Sequence, residues 1–565
     1  MPTPDYRVLI VGLDGATFDL MLPWIEEGYL PNLARVLRSG SMSPLESTIP
    51  PITPCAWSSF MTGKNPGKHG LFDFIEPHGE HGFRFTNASF REGETLWGCL
   101  SRYGRRVGVV NVPMTFPPEP VNGFLISGLD TPHELSPFMY PVEIRSELKQ
   151  AGIRYRIDQQ HLGNMRTDVR RRAQLADIRE SEQARTAALQ HLSEERPCDF
   201  RMIVYGSTDQ VQHHFWHFMD PSHDKHDPAG AAEFGNAIRD TYAHVDEQLG
   251  VLLDECDDDT IVMVMSDHGF GPMSNVRLRL NQILADAGLL KFEEGSAPSK
   301  LKQSLASWLD RMLRSTLSSD AKRRIAGMLP KLRTWFETLD EAKIDWAHTS
   351  AYVNEAYRSS PAIWLNRLQE LTDAEADELR DRIEEIMLTL VDPKTGEPLI
   401  SSLERPQEIY HGPHAEKAPD LLPSWWRDGF LLDQSSPAAP GRPNVERSTT
   451  PIEGGVEFAA SHRLDGVLMM SGGPIHADFS FDDAKIVDVT PTVLYLMGLP
   501  IPDDMDGRVL VEAIDPEFLA ANPIRYEAVD DDESYRDDGD GAPVSFTEDE
   551  SELIAKRLQA LGYIK

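Results

Sequence analysis

Carboxylate and imidazole side chains fall at four places along this chain, and a threonine crowded by prolines falls at a fifth. In TDQVQHH, Asp209 and His213 stand four residues apart, so a helix opening there sets both on one face. SDHGFGP puts Asp267 beside His268, Asp14 ends the apolar run RVLIVGL, and His462 lies in ASHRLDG just ahead of Gly466. Three Asp and three His suit two divalent cations, zinc or manganese, sharing six protein ligands. Two such ions about 3.5–4 Å apart would clamp the attacking and leaving oxygens of an in-line displacement.

The fifth place is STIPPITPCAWSSFMTGKNPGKHG, residues 47–70, centred on Thr53. Pro50, Pro51 and Pro54 leave its backbone few conformations, and Ala56 to Thr62 read as the first turns of a helix. A hydroxyl at the mouth of a helix faces N–H groups that favour an anion such as a phosphoryl group. The same pattern fits an ordinary helix cap. A neighbouring metal, which lowers the hydroxyl pKa, would make it a nucleophile.

These groups need a scaffold, and the chain supplies one of alternating strands and helices. Buried strands are predicted at Arg7–Leu13, Arg106–Val112, Gly123–Ser127, Phe200–Tyr205, Thr260–Met265 and Gly466–Met470. Helices are predicted at 18–39, 95–103, 231–253 and 488–497, with a polar, mainly helical stretch from Leu135 to His191. Lys64 to Phe74 reads as a loop returning to the sheet edge. The alternation implies an α/β fold, a three-layer αβα sandwich around a largely parallel sheet. Asp14, Asp209, Asp267 and His268 would then sit at carboxyl ends of strands, where such sheets gather their functional groups.

Residues 1–284 and 451–520 form the expected core. Residues 285–450 change character, with basic helices at 299–332 and a Pro-rich run at 433–444, and read as an inserted cap over the functional edge. Residues 521–565 form a tail in which acidic EAVDDDESYRDDGDG precedes a short helix at Glu548–Leu561.

The totals exclude several functions. With 55 basic and 90 acidic residues among 565, the net charge of −35 argues against nucleic acid as a partner, which needs a basic face. The apolar run at the N-terminus breaks at Asp14 and lacks a basic lead, so it does not read as a signal peptide. No apolar stretch approaches the roughly 20 residues of a membrane helix. Four scattered cysteines show no zinc-type pairing and suit a reducing compartment, so the expected location is cytoplasmic. The expected partner is a small phosphate ester; the oligomeric state is left open.

Taken together, VGLDG (11–15), PPITPCAWSSFMTGKNPGKHG (50–70), TDQVQHH (208–214), SDHGFGP (266–272) and SHRLDG (461–466) make the chain resemble the alkaline phosphatase superfamily. The likeness is to its type I phosphodiesterase/nucleotide pyrophosphatase branch, and DVTPTVLYLMGLPIPDDMDGRVL (488–510) resembles the end of that core. The resemblance implies one metal on Asp209, His213 and His462, and a second on Asp14, Asp267 and His268. Thr53 would be the nucleophile, and a phosphothreonine intermediate would be hydrolysed in a second step. The implied activity is phosphodiesterase- or nucleotide-pyrophosphatase-like phosphohydrolysis. A phosphomonoesterase, a phosphotransferase or mutase, and a silent binding protein on the same fold are the alternatives. Nucleotide pyrophosphatases of the branch carry an Asn in the helix after the nucleophile, where this chain has Ala56 and Trp57. Another donor is therefore expected, Lys64 or His69 being nearby. Trp57 could stack on a substrate ring or lie in the core. Tyr410 and His411, in EIYHGPHAEKAPDLL (408–422), are candidate contacts from the cap. Cys55 lacks the C/S-x-P-x-R pattern of the sulfatase relatives, so formylglycine chemistry is not expected.

Overall fold

The structure is a computed structural model and describes residues 6–78, 82–157, 165, 167–293, 344–354, 361–432, 443–448, 458–529 and 543–561. Its centre is a ten-stranded sheet. In chain order the strands are β1 (Arg7–Leu13), β2 (Gly40–Glu46), β3 (Val107–Val112), β4 (Gly123–Ser127), β5 (Met139–Tyr140) and β6 (Phe200–Tyr205). They continue with β7 (Thr260–Met265), β8 (Asp465–Ser471), β9 (Phe479–Ser480) and β10 (Ala484–Lys485). Across the sheet they run β9, β2, β8, β7, β1, β6, β3, β4, β5, with β10 also on β2. Only β8 and β5 oppose the common direction.

Alternate residues of β1 feed two separate cores, as a strand covered on both faces requires. Leu9, Val11 and Leu13 join the cluster made with helices Phe18–Glu26, Pro31–Arg38, Asp168–Glu195, Ser207–Met219 and Ala237–Leu253. Val8 and Ile10 join the opposite cluster, made with helices Thr53–Thr62, Leu96–Arg102 and Val489–Leu496. The fold is therefore the three-layer αβα sandwich expected. A third apolar cluster draws on residues between Val276 and Phe430 and includes Ile52 and Cys55, at the head of the Thr53 helix.

Several elements differ from the expectation. The predicted helix 18–39 is two helices, because Gly28 takes φ +83° and Pro31 opens the second. β2, GSMSPLE, lay unassigned in a connection; its glycine and proline argue against a strand. It nevertheless pairs with β8 from Gly40–Ser471 to Glu46–Asp465. Within Lys64–Phe74 the residues Pro66–His69 form one helical turn, capped by the Asn65 side chain. The polar stretch after Leu135 holds two helices, Ile144–Gln150 and Asp168–Glu195, and the predicted helix 231–253 is Pro228–Phe234 followed by Ala237–Leu253. The basic helices expected at 299–332, nearly all of the Pro-rich run and most of the acidic tail lie outside the described residues. The final helix, Glu548–Leu561, buries Ile554, Leu558 and Leu561 against Leu71, Phe74, Ile75 and Phe85. Among the described residues no helix is long and apolar enough to cross a membrane.

Candidate active site

Parallel strands β6, β1 and β7 are neighbours, so their carboxyl ends lie side by side. Asp14 follows β1 directly, Asp209 sits in the first turn of the helix after β6, and Asp267 and His268 follow β7. β8 runs the other way, and Ala460–Arg463, which precedes it, brings His462 to the same edge by pairing with Gly269–Pro272. Thr53 opens its helix beyond the end of β2, on that edge too.

There the six side chains separate into two groups. Asp209, His213 and His462 form one, and Asp14, Asp267 and His268 the other; within each, one ligand atom per residue lies within 4.8 Å of the others, and all six residues are buried. Asp209 Oδ1 is 3.4 Å from His213 Nε2 and 3.3 Å from His462 Nε2. His268 Nε2 is 3.4 Å from Asp267 Oδ2 and 3.8 Å from Asp14 Oδ1. The His268 and His462 rings stack with centroids 3.7 Å apart, so the groups share a wall.

The donor chemistry fits metal ions. Each histidine is tied through Nδ1 to a backbone carbonyl: His213 to Ala460 at 2.8 Å, His462 to Pro51 at 2.9 Å and His268 to Gly269 at 3.1 Å. A carbonyl only accepts, so Nδ1 carries the proton and a neutral ring turns its Nε2 lone pair to the carboxylates. Asp14 Oδ1, Asp267 Oδ2 and His268 Nε2, three atoms that converge, have no hydrogen-bond partner among the described residues although buried.

The electrostatics agree. Burial, then the charges of Asp267 and Asp209, push the Asp14 carboxyl well above the carboxylate range. Burial, opposed by the Gly15 N–H and aided by Asp209, lifts Asp267 to about 8. Burial and the His462 ring hold His268 well below the imidazole range. Burial also opposes the charge of Asp209, yet the His213 and His462 rings keep it well below the carboxylate range. Clustered, buried carboxylates with imidazoles tied through Nδ1 form a site that gains by exchanging protons for cations.

The Thr53 helix does more than present a hydroxyl. One turn along it, the fully buried Trp57 donates from Nε1 to Asp14 Oδ2 at 3.3 Å. Gly12 makes this possible: a Cβ there would stand 2.7 Å from Trp57 Cη2 and 2.8 Å from Val204 Cγ2. The glycine of VGLDG is therefore a slot for the indole, and the stacking role imagined for Trp57 gives way to burial against a carboxylate. Cys55 is the other nucleophile type nearby, and burial pushes its thiol up to about 12, so it stays protonated.

The remaining candidates are held in other contacts. Lys64 pairs with Asp504. His69 is buried, its Nε2 2.8 Å from Ser59 Oγ and its Nδ1 accepting from Leu71 N; burial and the Arg91 charge hold it down to about 3. Tyr410 is buried against Phe72, and His411 sits exposed on Asp506. Trp425, from the expected cap region, has its ring 6.4 Å from that of the candidate ligand His462. Sequence reasoning assigned no part to it, or to Phe270, whose ring is 4.7 Å from His213.

The model of the type I phosphodiesterase / nucleotide pyrophosphatase family matches residues 8–422. The chain belongs to this family. It is accordingly a phosphoric ester hydrolase by family, on a site with candidate metal ligands. Among solved structures, human ectonucleotide pyrophosphatase / phosphodiesterase 5 is similar at 12% identity and a TM-score of 0.47, over 90% of this chain and 98% of its own. The murine protein is similar at 12% identity and a TM-score of 0.45, over 90% and 100%. An inactive murine form in complex with AMP gives 11% and 0.47, over 90% and 98%. No curated protein matches the sequence.

Proposed function

We propose that the protein cleaves phosphate esters by attack of Thr53, beside two divalent cations held by Asp209, His213 and His462 and by Asp14, Asp267 and His268. The observation that carries this reading is the meeting of both triads at the sheet edge to which Thr53 is delivered. Bound there, zinc or manganese would neutralise phosphoryl oxygens and favour the alkoxide of Thr53.

The rest is work for the chain's own atoms. Thr53 Oγ1 forms the new P–O bond as the bond to the departing alcohol breaks; water then cleaves the phosphoryl–threonine ester, releasing a phosphate monoester from a diester substrate or phosphate from a monoester. The carbonyl of Pro51 holds His462 by its Nδ1, so the segment leading to the nucleophile also orients a ligand. Trp57 pins Asp14 from the same helix. Positioning and charge neutralisation are what phosphoryl transfer demands.

The test is nitrophenolate release from bis(p-nitrophenyl) phosphate and p-nitrophenyl phosphate by chelated protein resupplied with zinc or manganese. Metal-dependent turnover led by the diester is expected. A preference for the monoester would reassign the protein to phosphatase or mutase chemistry, and no turnover of either with both metals bound would refute the hydrolase mechanism.

A further inference from the structure

On the helix Ser207–Met219, which carries Asp209 and His213, a second row of polar side chains has no part in metal binding. Gln210, His214 and His217 are spaced four and three residues apart, so they share one face beside the ligand face. His214 is 6% exposed and His217 4%, while Gln210 is half-buried. Among the described residues, neither ring nitrogen of His214, nor His217 Nδ1, nor Gln210 Oε1 has a hydrogen-bond partner. Four such atoms on one face carry a desolvation penalty that no hydrogen bond among the described residues offsets.

The row adjoins the metal ligands. The Phe458 ring lies 4.7 Å from the His213 ring and 5.1 Å from that of His214, so one aromatic side chain walls both. The Ala459 N–H donates to the His213 carbonyl, which fixes that wall against the helix. The three side chains carry no ammonium or guanidinium, and the Arg171 charge acts at the His217 end only, so the Gln210 and His214 part of the row suits a neutral group rather than a second anion. An imidazole offers one donor and one acceptor, and an amide offers both.

We propose that Gln210, His214 and His217 form a substrate-contacting strip for the alcohol portion of the phosphate ester, selecting alcohols that bear both donors and acceptors, as sugar hydroxyls do. The inference rests on the phosphohydrolase reading above. The metals would take the phosphate and the strip would read what is attached to it. An ester without such groups leaves the strip unsatisfied, and this asymmetry is how buried polar groups discriminate between substrates.

Two substrates that release the same chromophore separate the cases: bis(p-nitrophenyl) phosphate, which has no hydroxyl, and the p-nitrophenyl ester of thymidine 5′-monophosphate, which has sugar and base donors and acceptors. In the zinc-loaded full-length protein, His214→Phe should lower kcat/KM for the thymidine ester about tenfold, chiefly through KM, the worth of one neutral hydrogen bond. The value for bis(p-nitrophenyl) phosphate should stay within about twofold, and His214→Gln should restore part of the loss. Gln210→Met, at the half-buried end of the strip, should show the same selectivity if the buried change unfolds the protein. Equal losses on both esters, or none in either variant, would overturn the strip while leaving the hydrolase reading intact. Failure of the unmodified protein to turn over either ester would overturn both.

Discussion

Replacing Trp57 by Phe tests whether the Thr53 helix also governs the proposed metal site at Asp14, Asp267 and His268. The change keeps a buried ring in the slot left by Gly12 and edge-on to Phe60, whose centroid is 5.8 Å away, but removes the N–H that reaches Asp14 Oδ2. A hydrogen bond to a charged acceptor is worth about 1.5–3 kcal/mol. At 3.3 Å this one is long, so the lower figure applies. At about 1.4 kcal/mol per tenfold, affinity at the Asp14, Asp267 and His268 group should fall about tenfold, within the range seen when a ligand's supporting partner is lost. The smaller ring also leaves a cavity, which should cost the metal-free protein on the order of 1–2 kcal/mol. Competitive zinc titration against a chromophoric chelator reads the first effect, and thermal unfolding of the chelated protein reads the second. The expected result is one weakened site and one unchanged. Two sites of unaltered affinity, alongside the expected loss of metal-free stability, would refute the reasoning and leave Trp57 as packing only.

Three further outcomes follow from the same site and its surroundings. Thr53→Ala should abolish turnover while metal content, by elemental analysis, stays near two per chain; activity at the unmodified rate would exclude Thr53 as nucleophile. His213→Ala and His462→Ala should each lower occupancy of one metal site and spare the other, and unchanged stoichiometry in both variants would contradict the division into two triads. The third concerns Asp73, whose buried Oδ2 has no hydrogen-bond partner among the described residues and which burial raises from 3.8 to about 7. A raised folded value means that the stability from this group is complete below about pH 4 and is lost as pH climbs toward 7, on the order of 4 kcal/mol at about 1.4 kcal/mol per pH unit. Asp73→Asn should therefore raise the melting temperature relative to the unmodified protein more at pH 8 than at pH 5; parallel pH profiles would show that Asp73 is not the group that titrates.

How much of this was legible in the sequence follows from what each signal depends on. β1 was readable because six of its seven residues are buried and apolar or glycine, a property of the run itself. β2 was not, because Ser41 and Ser43 are buried by partners remote in sequence or by local geometry: Ser41 Oγ donates to the His476 carbonyl, and Ser43 Oγ to that of Pro44. Their polarity imitates a loop until the tertiary contacts exist.

The same division runs through the site. Asp14, Asp209, Asp267 and His268 could be placed together because each follows a recognisable strand, and parallel strands end at one edge. Trp57 could not be directed toward Asp14 from its own neighbourhood, since its path depends on the missing Cβ of Gly12, more than forty residues away. That glycine was visible as part of VGLDG, but only the packing of β1 against the Thr53 helix shows which atom it admits. His214 lay in a quoted motif without a role, because nothing in TDQVQHH says that its nitrogens go unpartnered beside Phe458. Spacing reports which side chains share a face; it does not report which of them the rest of the fold leaves unsatisfied. In this chain the candidate metal ligands were of the first kind, and the candidates for reading the substrate are of the second.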